Sequence, residues 1–302
     1  MTSMKAIRFF PIALLTLFSC SPASTSLEES TEEKTTIPYS YYLPDNITRN
    51  TGFLLMLHGG HSSGELFAYS TGIQAYANEH NFAILFPSAS KYNEQYWPWW
   101  VKDAQEGTYP DIVELKDLCV SFMREQHLNP YRSYVAGFSA GACYAVNLYV
   151  SFPDTFRGVA SVGGLPYHVV SNTDDALALM AEGATKIKSP ELMIHGRMQG
   201  DNPIKALIFS GKEDKVVNPR NSEILTEQFV YHLDRLDDQE GNHSYKEKIE
   251  DFNKETPYHY TKSVYENEMG YVASYSLDNL GHSWSVNDNQ VNYSKVIVET
   301  FF

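Results

Sequence analysis

The stretch "SYVAGFSAGACYAVNLYV", residues 133–150, decides how the chain folds. It opens with a short apolar run, closes with a longer one, and sets Ser139 between Gly137 and Gly141 at the junction. A strand that turns straight into a helix through small residues is the context in which Gly-x-Ser-x-Gly has chemical meaning. Two readings compete. A tight turn simply needs small residues, or the turn is a strained elbow that lifts the Ser139 hydroxyl above the end of a sheet as a nucleophile. The placement between strand and helix favours the second. In that reading the N–H of Ala140 lies at a helix N-terminus and is an expected oxyanion donor.

Working outward, "FLLMLH" (53–58), "FAILFP" (82–87), "GVASVG" (158–163), "ALIFSG" (206–211) and "VASYSL" (272–277) read as buried strands. Helical segments fall between them, at about 64–80, 111–127, 140–152 and 220–235, with a last one in "VNYSKVIVETFF". In 111–127 the residues Ile112, Leu115, Cys119 and Phe122 share one face, and Asp111 with Glu114 resembles a capping box. The alternation predicts an α/β fold, a mostly parallel sheet covered by helices on both faces, with ligands held at the carboxyl ends of the strands.

A serine nucleophile needs a base and a group that orients the base, in the chain order serine, acid, histidine. Of the histidines after the acid candidates, His232 lies in a charged helix, His243 in a solvated loop, and His259 among tyrosines before a strand. His282, in "LDNLGHSW", follows a strand and sits in a glycine-containing turn, so it is the expected base. Asp214, in "ALIFSGKEDKVVNP", follows the penultimate strand and is the expected acid. Asp201 is the competing acid, after a shorter, interrupted apolar run. "LMLHGGHSSG" (55–64) supplies a second oxyanion donor, the backbone N–H of Gly60, with His61 as the alternative. His58 reads as a brace for this loop. "YWPWW" (96–100) reads equally as loop packing and as substrate contact; Trp97 and Trp284 are taken as candidate contacts.

The chain has 302 residues, 43% of them hydrophobic, which suffices for one large α/β domain. Its formal net charge of −14 argues against nucleic acid or an anionic membrane surface as a partner and fits a neutral small or oligomeric substrate. Lys5 and Arg8 precede an apolar run that ends in "LFSC" (17–20), so residues 1–20 read as an export signal in which Cys20 is the lipidated residue of a lipobox. Ordinary secretion with cleavage near "SPAS" is the alternative. Residues 21–36, rich in Ser, Thr and Glu, read as a polar tether, and residues 37–302 as the domain. Cys119 and Cys143 are expected as buried free thiols. No cysteine or histidine cluster has metal-site spacing, and neither metal nor organic cofactor is implied.

With these motifs in place, the chain resembles the polyhydroxybutyrate depolymerase family of serine esterases, related to feruloyl and acetyl-xylan esterases within the α/β-hydrolases. The resemblance covers roughly 50–302 and rests on "LHGG", "YWPWW", "NPYRSYVAGFSAGA", "VGGLPYH", "SGKEDKVVNPRN" and "LGHSWS". It implies the triad Ser139, Asp214 and His282, hydrolysis of carboxylic esters, and aromatic clusters lining the acyl site. Many members of that family carry a disulfide whose two positions are occupied here by Gly60 and Tyr96, and "VNDNQ" replaces glycines that often follow "GHxWS". The chain ends at Phe302 without a binding module, so short hydroxyalkanoate oligomers are expected over crystalline polyester. An acyltransferase with the same triad and a non-enzymatic surface lipoprotein are the rival readings.

Overall fold

A computed structural model describes residues 36–89, 96–186, 203–236 and 241–302. The leader with Cys20, the tether up to residue 35, and Asp201 lie outside the described residues. Among the described residues no helix is long and apolar enough to cross a membrane.

Nine strands form one sheet: β1 (Tyr39–Tyr42), β2 (Gly52–Leu57), β3 (Phe82–Pro87), β4 (Ser133–Phe138), β5 (Val159–Val162), β6 (Ile204–Gly211), β7 (Lys246–Phe252), β8 (Tyr260–Asn267) and β9 (Gly270–Leu277). Their order is β1-β3-β2-β4-β5-β6-β9-β8-β7. The six strands from β3 to β9 run parallel; β1 pairs antiparallel at one edge and β8 and β7 at the other. This is the predicted α/β-hydrolase arrangement.

The central strands are buried on both faces, which is why they read as unbroken apolar runs. Phe53, Leu55 and Leu57 of β2 enter the core on one side, and Leu54 and Met56 enter the core on the other. Helices α4 (Pro110–Glu125), α5 (Ala140–Ser151) and α7 (Arg220–Leu233) contribute to the first core. Helices α1 (Gly64–Thr71) and α8 (Tyr293–Phe301) contribute to the second. Helix α5 is buried from Ala140 to Val150, in keeping with its apolar composition all round.

The structure departs from the expectations in several places. The segment 64–80 is broken: α1 stops at Gly72, whose φ of 60° ends it, and a 3₁₀ turn (Ile73–Tyr76) and a short α2 (Ala77–His80) follow. The capping box at Asp111 does not form. Pro110 starts α4 one residue earlier, Tyr109 is its N-cap, and Glu114 accepts instead from Thr36 Oγ1 at 3.1 Å. The hairpin β7–β8 is absent from the sequence reading because "KEKIEDF" is charged on both faces and lacks the alternation that marks a half-buried strand. The short α3 (Lys102–Gln105) and α6 (Thr173–Glu182) complete the helices that bear on the site.

The close approach of α5 to β2 yields a stability test. A Cβ on Gly141 would collide with the carbonyls of Leu57 and His58. Gly141→Ala is expected to cost about 1–3 kcal/mol by overpacking, read as a lower urea midpoint at an unchanged m-value.

Candidate active site

The elbow is a backbone feature first. Ser139 has φ 55° and ψ −120°, a conformation that L-residues with a side chain rarely adopt. It is held by Ser139 N–H to the Val162 carbonyl at 2.9 Å, and by the N–H groups of Ala142 and Cys143 to the Ser139 carbonyl at 2.9 and 3.2 Å. The two glycines of the motif have separate reasons. A side chain on Gly137 would strike the Gly141 carbonyl, and one on Gly141 would strike the end of β2.

Asp214 and His282 meet across two loops. Asp214, three residues beyond β6, accepts from the Nδ1–H of His282 at 2.6 Å through Oδ2. Its Oδ1 accepts from the N–H groups of Val216 and Val217, both at 2.8 Å. The Asp214 side chain is only 4% exposed. Burial pushes its pKa up, but the His282 hydrogen bond, the two backbone donors and the attraction to the imidazole outweigh this and hold it below the usual carboxylate value. Gly163, just after β5, has φ 61°, and a Cβ there would lie 3.2 Å from His282 Cε1 and 3.7 Å from Asp214 Oδ2. The ring of Phe138 lies 4.7 Å from that of His282, centroid to centroid. Of the sequence alternatives, His232 is buried in α7, His243 is beside Tyr245, and His259 pairs with Asp278.

Ser139, Ala140, Gly60, His61 and His282 all line one cavity of about 650 Å³. Its apolar walls come from Trp99, Trp100, Leu165, Met180 and Val217, with Leu177 at the rim, 58% exposed. No Lys, Arg, Asp or Glu is among its described lining residues. No group of His, Cys, Asp and Glu among the described residues could hold a metal ion.

The loop after β2 is braced from below. His58 is fully buried, donates from Nδ1 to the Gly59 carbonyl at 2.6 Å and accepts the Ala89 N–H on Nε2 at 3.0 Å. Burial lowers its pKa despite the Gly59 bond, which keeps it neutral and suited to both roles. Trp97 donates from Nε1 to the His58 carbonyl at 3.0 Å and stacks on Tyr144 at 5.4 Å. Above, the Tyr96 ring covers the α-carbon of Gly60, and Tyr96 OH bonds His61 Nε2.

The two tryptophan expectations need correction. Trp97 is 2% exposed and does not line the cavity; it is spent on the loop, and the next residues, Pro98, Trp99 and Trp100, form the wall. Trp284 also stands off the cavity, edge-on to Phe67 and donating to Ser294 Oγ at 3.0 Å. Sequence reasoning also passed over Gly163, α6 and the Val216–Val217 pair. "VGG" was in view as a motif, but nothing local to it signals that it backs a histidine more than a hundred residues away.

A parallel sheet with the serine, acid and histidine on loops at its carboxyl end defines an α/β-hydrolase. The acetyl xylan esterase of Aspergillus awamori shares this fold, with a TM-score of 0.69 at 15% identity over 88% of this chain and 94% of that one. Residues 37–253 match the model of the family described as esterase PHB depolymerase, and the chain belongs to that family. The match includes Ser139 and Asp214 and ends ahead of His282. Poly(3-hydroxyalkanoate) depolymerase C of Paucimonas lemoignei is 25% identical over 252 residues, 81% of this chain and 58% of that protein. The chain therefore spans less than two thirds of that relative's length. Feruloyl esterase B of Thermothelomyces thermophilus is 25% identical over 223 residues, 68% of this chain and 75% of its own.

The depressed pKa of Asp214 sets a pH test of folding. A group with a lowered folded pKa contributes stability above its unfolded value, about 3.9 for Asp, and the contribution is lost as pH falls through the folded value. Asp214→Asn is therefore expected to flatten the acid side of the stability–pH curve. Denaturant midpoints of both proteins from pH 7 down to acid measure it, and parallel curves would show that Asp214 does not carry this linkage.

Proposed function

We propose that the protein is a serine esterase that hydrolyses carboxylic esters with an uncharged acyl group, with short hydroxyalkanoate oligomers as its substrates. The observation that carries the reading is His282, bonded to the buried Asp214 at 2.6 Å and lining the same cavity as the strained Ser139. Ser139 Oγ attacks the ester carbonyl while His282 takes its proton on Nε2. The N–H groups of Ala140 and Gly60 hold the oxyanion, and the proton returns to the departing alkoxide. Water, deprotonated by the same imidazole, then releases the acid from Ser139. Asp214 keeps the imidazole in the tautomer that leaves Nε2 free to accept.

The cavity favours an acyl group larger than acetyl and without charge. Its aromatic walls also support a second reading, a feruloyl-type ester carried on polysaccharide. For the N-terminus we propose export and anchoring through Cys20, supported by Lys5, Arg8, the apolar run and "LFSC". Residues 21–36 would tether the domain. Incorporation of labelled palmitate that disappears in Cys20→Ser is the expected result; unlabelled wild type released in soluble form would remove the anchor.

Ser139→Ala is expected to lose fluorophosphonate labelling and about 10⁴-fold or more in turnover with the fold intact. Retention of a tenth of wild-type turnover would overturn the triad. Asp214→Asn should cost on the order of 10³–10⁴ in kcat, and Asp201→Asn should be nearly silent. For the substrate, soluble hydroxybutyrate trimer, a crystalline polyester film and methyl ferulate are compared at equal enzyme. Faster release from trimer than film, per accessible bond, is expected. Cleavage of methyl ferulate alone would move the substrate to the polysaccharide esters.

A further inference from the structure

The catalytic acid and base ride on different loops, after β6 and after β9, and a second set of contacts outside the cavity ties those loops together. Lys212, the first residue after β6, donates its N–H to the Leu277 carbonyl at 2.9 Å, and Glu213 N–H reaches the Leu280 carbonyl at 3.0 Å. The Lys212 ammonium lies 2.7 Å from Asp278 Oδ1. Asp278 is the first residue after β9, four before His282. Its other oxygen, Oδ2, accepts from His259 Nδ1 at 2.9 Å, and its N–H donates to the His259 carbonyl at 3.0 Å. His259 also faces Asp251, whose Oδ1 is 3.7 Å from Nε2 and accepts from Thr261 Oγ1 at 2.8 Å.

His259 ends the turn of the β7–β8 hairpin, and that turn is stitched to the His282 loop at more than one point. Gln290 Nε2 bridges the carbonyls of His259 and Asp278 at 2.9 and 3.0 Å. Asn279 Nδ2 donates to Pro257 O at 3.1 Å, and Asn253 Nδ2 to Asn289 O at 3.1 Å. The hydrogen bonds from Lys212 and His259, with their charge attraction, outweigh burial and hold the Asp278 carboxyl below its usual pKa. It is an anion at neutral pH, shared between a side chain of the acid loop and one of the hairpin.

Resting on the triad reading above, we infer that Asp278, with Lys212 and His259, is a positioning cluster that fixes the separation of the Asp214 and His282 loops, and that the β7–β8 hairpin is the strut through which it does so. None of the three touches the cavity, so their effect on the reaction passes through His282. Reacting groups misplaced by ~1 Å can cost ~10²-fold in rate. Most of the cavity wall, on α6, Leu165 and the 96–100 loop, is untouched by the cluster, which bears only on Val216 and Val217 of the Asp214 loop, so substrate affinity changes little.

The test compares Asp278→Ala and His259→Leu with the conservative His259→Gln, which keeps an N–H donor toward Asp278, alongside Lys212→Arg. Turnover of nitrophenyl butyrate, fluorophosphonate labelling rate and melting temperature are measured for each. The expected result is a fall of roughly ten- to a hundredfold in kcat and in labelling rate for Asp278→Ala and His259→Leu. KM should stay within about twofold, since substrate binding changes little, and His259→Gln and Lys212→Arg should recover most of the rate. A drop in rate no larger than the drop in folded fraction, or an equal drop in the conservative variants, overturns the inference. His282→Ala is run beside them. If it is inactive while Asp278→Ala is fully active, the positioning cluster falls and the triad stands; if it is active, both fall.

Discussion

The site depends on one turn of backbone that has no room for a side chain at Gly137 or Gly141, two residues before and after Ser139. With φ at 55° the serine leaves β4 and enters α5 with no loop between them, so its hydroxyl is held by two rigid elements. The condition is that α5 lies close enough to β2 for a methyl group on Gly141 to collide with the Leu57 and His58 carbonyls. The same proximity sets the start of α5, with its free N–H at Ala140, beside the Gly59–Gly60 loop. Ser139 and the N–H groups of Ala140 and Gly60 are thus placed by a single packing contact between a strand end and a helix start.

The other half of the site is assembled from segments far apart in the chain, and this explains what the sequence could and could not reveal. The convergence of Ser139, Asp214 and His282 at one end of the sheet was legible because each follows an apolar run closely and carries a local signature. The central strands were legible because burial on both faces leaves no polar residue to interrupt them. Trp97 was misjudged because an aromatic cluster announces burial without saying against what; it braces the His58 carbonyl while Trp99 and Trp100 face the cavity. The hairpin β7–β8 was invisible since β7 is charged and mostly exposed, and its value lies in contacts with a loop that follows it. Gly163 lies within the motif "VGGLPYH", yet the space it leaves for His282 exists only after folding.

The electrostatics of the site follow from where charge is permitted. The cavity holds no carboxylate or ammonium among its described lining residues, so backbone dipoles in a low-dielectric wall set its local field. The carboxylates that matter sit behind it. Asp214 is buried and satisfied by His282, Val216 and Val217; Asp278 accepts from His259 and faces the Lys212 ammonium. Surplus negative charge elsewhere on the molecule is left to the solvent, where it favours solubility.

The contact between Gly60 and Tyr96 has a consequence for where the protein can fold. At these two positions an aromatic ring rests on a bare α-carbon, so the brace on the oxyanion loop is made by packing and forms as the core closes. No oxidant is needed to complete it, and no reductant can undo it. The remaining described cysteines reinforce this independence. Cys119 and Cys143 are free and enclosed, and burial raises both thiols, Cys143 to about 12, so neither is poised for exchange. Among the described residues the geometry therefore rests on no disulfide, so these residues can reach it whether or not an oxidant is present.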